Sequence, residues 1–157
     1  MIFVTVGTQA PFDRLIEAID SIAPSINEKI IAQTLKGKYI PRHIEVVDFV
    51  SPDVFAEYFN NASVVVSHAG MGTIISALTS CKPLIIFPRK AALEEHRNEH
   101  QAATARRLGE LQLVNVATDA SSLAAFLHNR DRLIIPDRIG LQASPALIDS
   151  IAAFITT

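Results

Sequence analysis

Along this chain, short runs of consecutive apolar residues alternate with stripes in which apolar residues recur every three or four positions. The first kind predicts a strand buried on both faces, the second an amphipathic helix. Ile2 to Val6 reads as a strand, Gly7-Thr8-Gln9 as a loop, and Pro11 as the first turn of a helix. That helix carries Leu15, Ile16, Ile19 and Ile22 and ends at Pro24. A second strand spans Glu28 to Leu35, followed by a turn at Lys36-Gly37-Lys38 and a third strand from Ile44 to Val50 centred on Val46 and Val47. Ser51 can cap and Pro52 can open the next helix, whose stripe is Val54, Phe55, Tyr58 and Phe59 and which Asn60-Asn61 breaks.

Ser63 to Ser67 is again a strand, running through a glycine turn into a helix from about Gly72 to Thr79. After Lys82-Pro83 comes the strand Leu84 to Phe87, stopped by Pro88. Arg89 to Glu99 reads as an exposed, charged connection. A helix through Gln101 to Leu108 follows, with Gly109 as its C-terminal cap, then a strand from Leu111 to Val116. Asp119-Ala120-Ser121-Ser122 opens a helix reaching Leu127. Asn129 to Gln142 reads as a loop, and Ser144-Pro145 opens a last helix bearing Leu147, Ile148, Ile151, Phe154 and Ile155 on one face.

Strands alternating with helices predict an α/β fold: a doubly wound, Rossmann-like parallel sheet of about six strands, built as one domain over residues 1–157. Ligands in such sheets bind outside the carboxyl ends of the strands. Gly7-Thr8, the segment from Ser67 to Thr73, and Pro88-Arg89 all fall at that edge.

Composition narrows the chemistry. A formal net charge of −2 gives no electrostatic footprint for nucleic acid. The single cysteine, Cys81, excludes an intrachain disulfide or a thiolate metal cluster and is expected as a small buried core residue. No apolar run approaches the roughly 20 residues that cross a bilayer. The start Met1-Ile2-Phe3-Val4 has no basic leader, so a cytoplasmic protein is expected.

The most informative stretch is Val64-Val65-Val66-Ser67-His68-Ala69-Gly70-Met71-Gly72-Thr73. A strand feeding a helix start through glycines offers free backbone N–H groups and the positive end of a helix dipole, which suits a phosphate. Thr73 adds a hydroxyl. Neither the dinucleotide fingerprint nor the Walker loop is present: position 75 is Ile, and no Gly-Lys-Ser/Thr occurs. The Gly-x-Ser-x-Gly nucleophile elbow is absent too. His68 can either pin the turn through a carbonyl or touch a ligand. Glu94 to Gln101 is dense in hydrogen-bonding side chains, suited to a polyhydroxylated ligand. His96 and His100, four apart, would share a helical face, but without a glutamate after His96 they do not make the zinc-hydrolase pattern, and no metal is expected.

Three segments together resemble the carboxyl-terminal domain of family 28 glycosyltransferases: Ser67 to Thr73, Lys82-Pro83-Leu84-Ile85-Ile86-Phe87-Pro88, and Glu99-His100-Gln101. The opening Phe3-Val4-Thr5-Val6-Gly7-Thr8 with Phe12-Asp13-Arg14-Leu15-Ile16 is similar to free-standing forms of that domain. These are the PssE/EpsE-type exopolysaccharide proteins and the soluble subunit of the dolichol-linked GlcNAc transferase. The resemblance spans roughly residues 1–128 and implies one half of a GT-B fold, in which two Rossmann-like domains face a cleft and this one holds a nucleotide-sugar, usually a UDP-sugar.

By position, Gly7 and Thr8 would approach the donor phosphates, and Gly70, Met71, Gly72 and Thr73 would bind the diphosphate. His100 and Gln101, with Glu99 beside them, would contact the donor sugar. Many relatives place a glutamate on the ribose hydroxyls where this chain has Ser76, whose hydroxyl lacks a carboxylate's bidentate, charge-assisted grip. His68 and Glu99 are the candidates for a general base.

The resemblance implies inversion at the anomeric carbon, and without an Asp-x-Asp signature no required metal or other cofactor is expected. Because the first strand begins at Ile2, the acceptor half is expected on a second, membrane-associated, PssD-like polypeptide that presents a lipid-linked acceptor and recruits this chain to the inner face of the membrane. The last helix is a candidate docking surface, although plain packing on the sheet explains its apolar face more simply. The expected role is the donor-binding subunit of a two-component glycosyltransferase in exopolysaccharide or cell-surface polysaccharide assembly. The alternative is a non-catalytic subunit that stabilises a partner.

Overall fold

The computed structural model describes residues 1–95 and 100–136. Six strands form one sheet: β1 (Ile2–Thr5), β2 (Ile30–Gln33), β3 (Glu45–Val47), β4 (Val64–Ser67), β5 (Leu84–Ile86) and β6 (Asn115–Val116). Their order is β3-β2-β1-β4-β5-β6 and every neighbouring pair is parallel, which is the doubly wound arrangement expected from the sequence. Among the described residues, four α-helices lie between strands, α1 (Asp13–Ile22), α2 (Pro52–Asn61), α3 (Met71–Thr79) and α4 (His100–Glu110), and α5 (Ala120–His128) follows β6.

Alternation along each central strand divides the core between two faces. Ile2, Val4, Val64, Val66 and Ile85 pack with Leu15, Ile16 and Ile19 of α1 and Leu123 and Leu127 of α5. Phe3, Val65, Leu84 and Ile86 point the other way, onto Phe59 of α2, Ile74 and Leu78 of α3, and Ala105 of α4. Both faces are covered, which is why the central strands read as unbroken apolar runs. No helix among the described residues is long and apolar enough to cross a membrane.

Side-chain capping explains two of the helix starts. Ser51 accepts from the Val54 N–H at 3.4 Å at the head of α2. Asp119 and Ser122 form a reciprocal capping box at α5. Asn115 clasps the segment after α5: its amide donates to the Ile134 carbonyl at 3.2 Å and accepts from the Ile134 N–H at 2.9 Å.

Several expectations are corrected. Pro11 lies before α1 rather than in its first turn, because its carbonyl is engaged elsewhere. The second strand is shorter than Glu28 to Leu35, since Leu35 and Lys36 take left-handed φ values of 55° and 50°. The third strand is a short edge strand, not a buried one: Glu45 and Val46 are exposed. Asn60 and Asn61 close α2 from within instead of breaking it.

Gly109 is not a cap but lies inside α4, where an added Cβ would meet Val116 Cγ2 at 3.0 Å; its smallness lets α4 approach β6. The left-handed capping position is taken by Gln112 (φ 54°), with the Leu113 N–H returning to the Leu108 carbonyl. Cys81 is exposed, not core: it holds the left-handed position after α3 (φ 50°), while the Lys82 N–H returns to the Ala77 carbonyl. The strand expected from Leu111 is only Asn115–Val116. The last helix, with Leu147 to Ile155, lies outside the described residues.

Candidate functional site

Between β1 and β4 the strand order reverses, so the connections leaving these two strands diverge to opposite faces and leave a crevice at their carboxyl ends. A cavity of about 570 Å³ occupies it. Gly7, Thr8, His68, Gly70, Met71, Gly72, Thr73, Ser76 and Gln101 all line this cavity. Among the residues expected at the site, Glu99 lies outside the described residues, and His100 is placed as the first residue of α4.

The glycines of the central turn have different jobs. A Cβ on Gly70 would stand 2.3 Å from His68 Nε2, and one on Gly7 would stand 2.5 Å from His68 Cε1. The imidazole therefore sits between the two loops and fills the space their missing side chains leave. Gly7 also needs its left-handed φ of 82°. Gly72 is the opposite case: a Cβ there would meet nothing within 4 Å. Its bare backbone faces open cavity, which is the geometry of close approach by a ligand.

Helix α3 begins at this point. Gly70 is its N-cap and has no side chain with which to cap, so the first-turn amides of Met71, Gly72 and Thr73 are left for another acceptor. The positive end of the helix dipole points the same way. Ser76, one turn on, lines the cavity and donates its hydroxyl to the Gly72 carbonyl at 3.0 Å.

Beneath the Gly7 loop, the buried Thr5 hydroxyl donates to Gln33 Oε1 at 3.1 Å and accepts from the Gly7 N–H at 3.2 Å. Phe49, Val50, Pro52 and Phe55 give the cavity an apolar wall on the β3 side. Neither group is marked in the sequence as part of a site. Gln33 ends a strand that reads as core, and the aromatic wall sits in a stretch with no chemical motif.

The reading of Arg89 to Glu99 as an exposed connection is overturned at its first residue. Arg89 is 4% exposed. Its guanidinium donates to the carbonyls of Pro11 (2.8 Å), Ala10 (2.6 Å) and Val6 (3.1 Å), and lies 4.5 Å from the Phe12 ring centroid. Burial pushes its pKa down from the ordinary arginine range; Glu95 opposes that shift and Arg14 adds to it. Glu95 is likewise engaged. Arg14 reaches its two carboxylate oxygens at 2.7 and 2.9 Å, and the Lys90 N–H donates to one of them at 2.8 Å. The sequence signal is an arginine just beyond the proline that stops an apolar strand, at the edge where ligands bind.

Comparison with known proteins shows the family of this domain. The glycosyltransferase family 28 C-terminal domain matches residues 1–131. Over 120 residues the chain is 32% identical to the human UDP-N-acetylglucosamine transferase subunit ALG13, covering 68% of this chain and 10% of that protein. The ALG13 of Eremothecium gossypii is 37% identical over 73 residues, covering 46% of this chain and 36% of the relative. The chain thus spans a tenth of the human relative's length and about a third of the fungal one's. Among solved structures, Acinetobacter baumannii MurG superposes with a TM-score of 0.66 at 17% identity, over 99% of this chain and 49% of MurG. The solution structure of ALG13 superposes with a TM-score of 0.59 at 19% identity, over 99% of this chain and 96% of that one.

Proposed function

Since the chain belongs to the glycosyltransferase family 28 C-terminal domain family, we propose that it is the donor-binding subunit of a two-component, inverting glycosyltransferase that uses a UDP-sugar. The observation that carries this reading is the uncapped start of α3, with Gly72 open to the cavity and the Gly7-Thr8 loop across from it. A diphosphate seated there meets backbone donors and a helix dipole from one side and a second loop from the other.

Charge develops on the leaving diphosphate as the glycosidic bond to the nucleotide breaks. Fixed N–H donors aimed at that position stabilise it without reorganising. The reading therefore requires no divalent ion. Thr73 contributes a hydroxyl at the helix start, Ser76 and Gln101 line the cavity as the contacts to ribose and sugar, and the family resemblance adds His100 and Glu99 to the sugar contacts. His68 and Glu99 are the proposed candidates to accept the acceptor's proton.

The acceptor comes from a second chain. The matched relatives are named as subunits of a transferase, which supports a shared active site. We assign the partner as a membrane-associated, PssD-like polypeptide presenting a lipid-linked acceptor, with the product entering an exopolysaccharide or other cell-surface polysaccharide.

The test is Gly72→Leu. Its side chain enters open space, so the fold stays intact while UDP affinity, measured by calorimetric titration, falls by about tenfold or more. Equal binding by the folded variant and the wild type would remove the site. In the assembled pair the same variant abolishes sugar transfer, and transfer by the wild type persists in chelator. Unchanged transfer by the variant pair would instead favour a subunit that only stabilises its partner, a role consistent with the Ser76 hydroxyl being bonded to its own helix.

A further inference from the structure

We propose that Arg89 is a positioning residue for donor binding, which fixes the Gly7 loop against the diphosphate end of the cavity. The inference rests on the donor-binding reading above and adds to it a residue that neither the glycine turn nor the family motifs contain.

Residues 6–11 form a loop with no regular structure, and Thr8, Gln9 and Ala10 are exposed on its outer side. On its inner side, the carbonyls of Val6, Ala10 and Pro11 all converge on one guanidinium, supplied from the end of β5. A planar guanidinium presents its N–H groups in a fixed fork, so three carbonyls of one loop are held in one geometry at once. The Phe12 ring closes over it. An ammonium has fewer donors and no plane, and cannot hold the same three.

A second clamp fixes the residue that does the holding. Arg14 of α1 grips the Glu95 carboxylate bidentately and also donates to the Pro88 carbonyl at 2.8 Å. The Glu95 carboxylate takes the Lys90 N–H as well. The loops before α1 and after β5 thereby behave as one unit, and residues of both line the cavity. Arg14 and Glu95 pair with each other, and the Arg89 guanidinium brings to this wall the positive sign that an anionic ligand needs. Among the described residues, the hydrogen-bonding groups of Arg89 meet carbonyls and no carboxylate.

The experiment compares UDP with uridine, which shares the base and ribose but has no phosphate. Binding of each is measured by NMR titration on wild type and Arg89→Lys, alongside thermal melting. A loop fixed against the diphosphate predicts that the UDP-to-uridine affinity ratio falls about tenfold in Arg89→Lys. A role in stability alone predicts a lower Tm with that ratio unchanged, and this result overturns the inference. If Arg89→Lys does not fold, Glu95→Gln loosens the same unit from a partly exposed position. A smaller fall in the same ratio then supports the inference and an unchanged ratio overturns it. Failure of the wild type to bind UDP would defeat the donor reading itself and this inference with it. Wild-type binding with an unchanged ratio in the folded variant would defeat this inference alone.

Discussion

His68 is in contact range of two glycines that lie 63 positions apart in the chain, and this relationship can be measured. Alanine at Gly70 drives a methyl into the imidazole, an overpacking that costs about 1–3 kcal/mol. In a His68→Ala background the ring is gone and the same change becomes nearly neutral. A double-mutant cycle by urea denaturation should therefore return a coupling energy of at least about 1 kcal/mol between positions 68 and 70. Gly7→Ala behaves differently, because its φ of 82° remains unfavourable by about 1–2 kcal/mol for any other residue even after the ring is removed. Additivity at 68 and 70 would show that the ring does not occupy the space assigned to it. The sequence marked all three glycines as places of close approach but could not sort them. A glycine shows that a side chain is missing and leaves open what fills the gap. For Gly7 and Gly70 it is an imidazole from the same chain; for Gly72 it is open cavity.

At the level of elements, the strands and helices with strong periodicity were legible, since a two-sided buried strand and a one-sided helix leave different patterns. What was not legible depended on a partner distant in sequence. Gly109 is small because β6 lies against it, and Arg89 is buried because the loop before α1 needs donors. Asp20 is a third case: it looks like an ordinary polar position of α1, yet it is buried and ties down the connection between β2 and β3. It accepts from the Arg42 N–H at 3.0 Å, the His43 N–H at 2.7 Å and the Tyr39 hydroxyl at 2.9 Å. Burial alone would raise its pKa, but these hydrogen bonds and the nearby His43 ring outweigh it and hold the carboxyl below its ordinary value. A carboxyl depressed in the folded state contributes stability that is fully present above the unfolded pKa near 3.9, and that is lost as pH falls through the folded value. Asp20→Asn should therefore cost about 2 kcal/mol near neutrality. The gap from wild type should stay level down to about pH 5 and narrow only in more acid solution. The Tyr39 hydroxyl gives an independent readout. Its bond to Asp20 is the main cause raising its pKa, so in Asp20→Asn the phenol should ionise at lower pH in an ultraviolet titration.

Taken whole, the molecule presents a finished floor and an unfinished roof. Thr5, Gln33 and Ser67 at the bottom of the crevice are buried, whereas Thr8, Gln9, Ala10, Met71 and Gly72 at its rim are exposed. Apolar side chains stand on the same rim: Phe49 is 64% and Met71 53% exposed, and both line the cavity. The doubly wound sheet was legible from the alternation of elements, and the edge that would carry the site followed from it. The exposed rim was not, because Phe49 reads as part of the third strand, whereas that strand ends at Val47 and leaves Phe49 in the loop beyond it. In the two-component reading, the partner covers this rim and removes water from above the diphosphate. Charge–dipole interactions at the start of α3 then operate in a lower dielectric and strengthen. UDP should accordingly bind the assembled pair more tightly than the isolated chain, by about tenfold or 1.4 kcal/mol of coupling. Linkage makes the effect reciprocal: saturating UDP must tighten assembly of the two chains by the same factor, measurable by calorimetry in both directions. Phe49→Ser should leave the fold intact and reduce this coupling. If UDP binds the isolated chain and the pair equally, the partner does not cover the donor, and the two sites meet only through the acceptor.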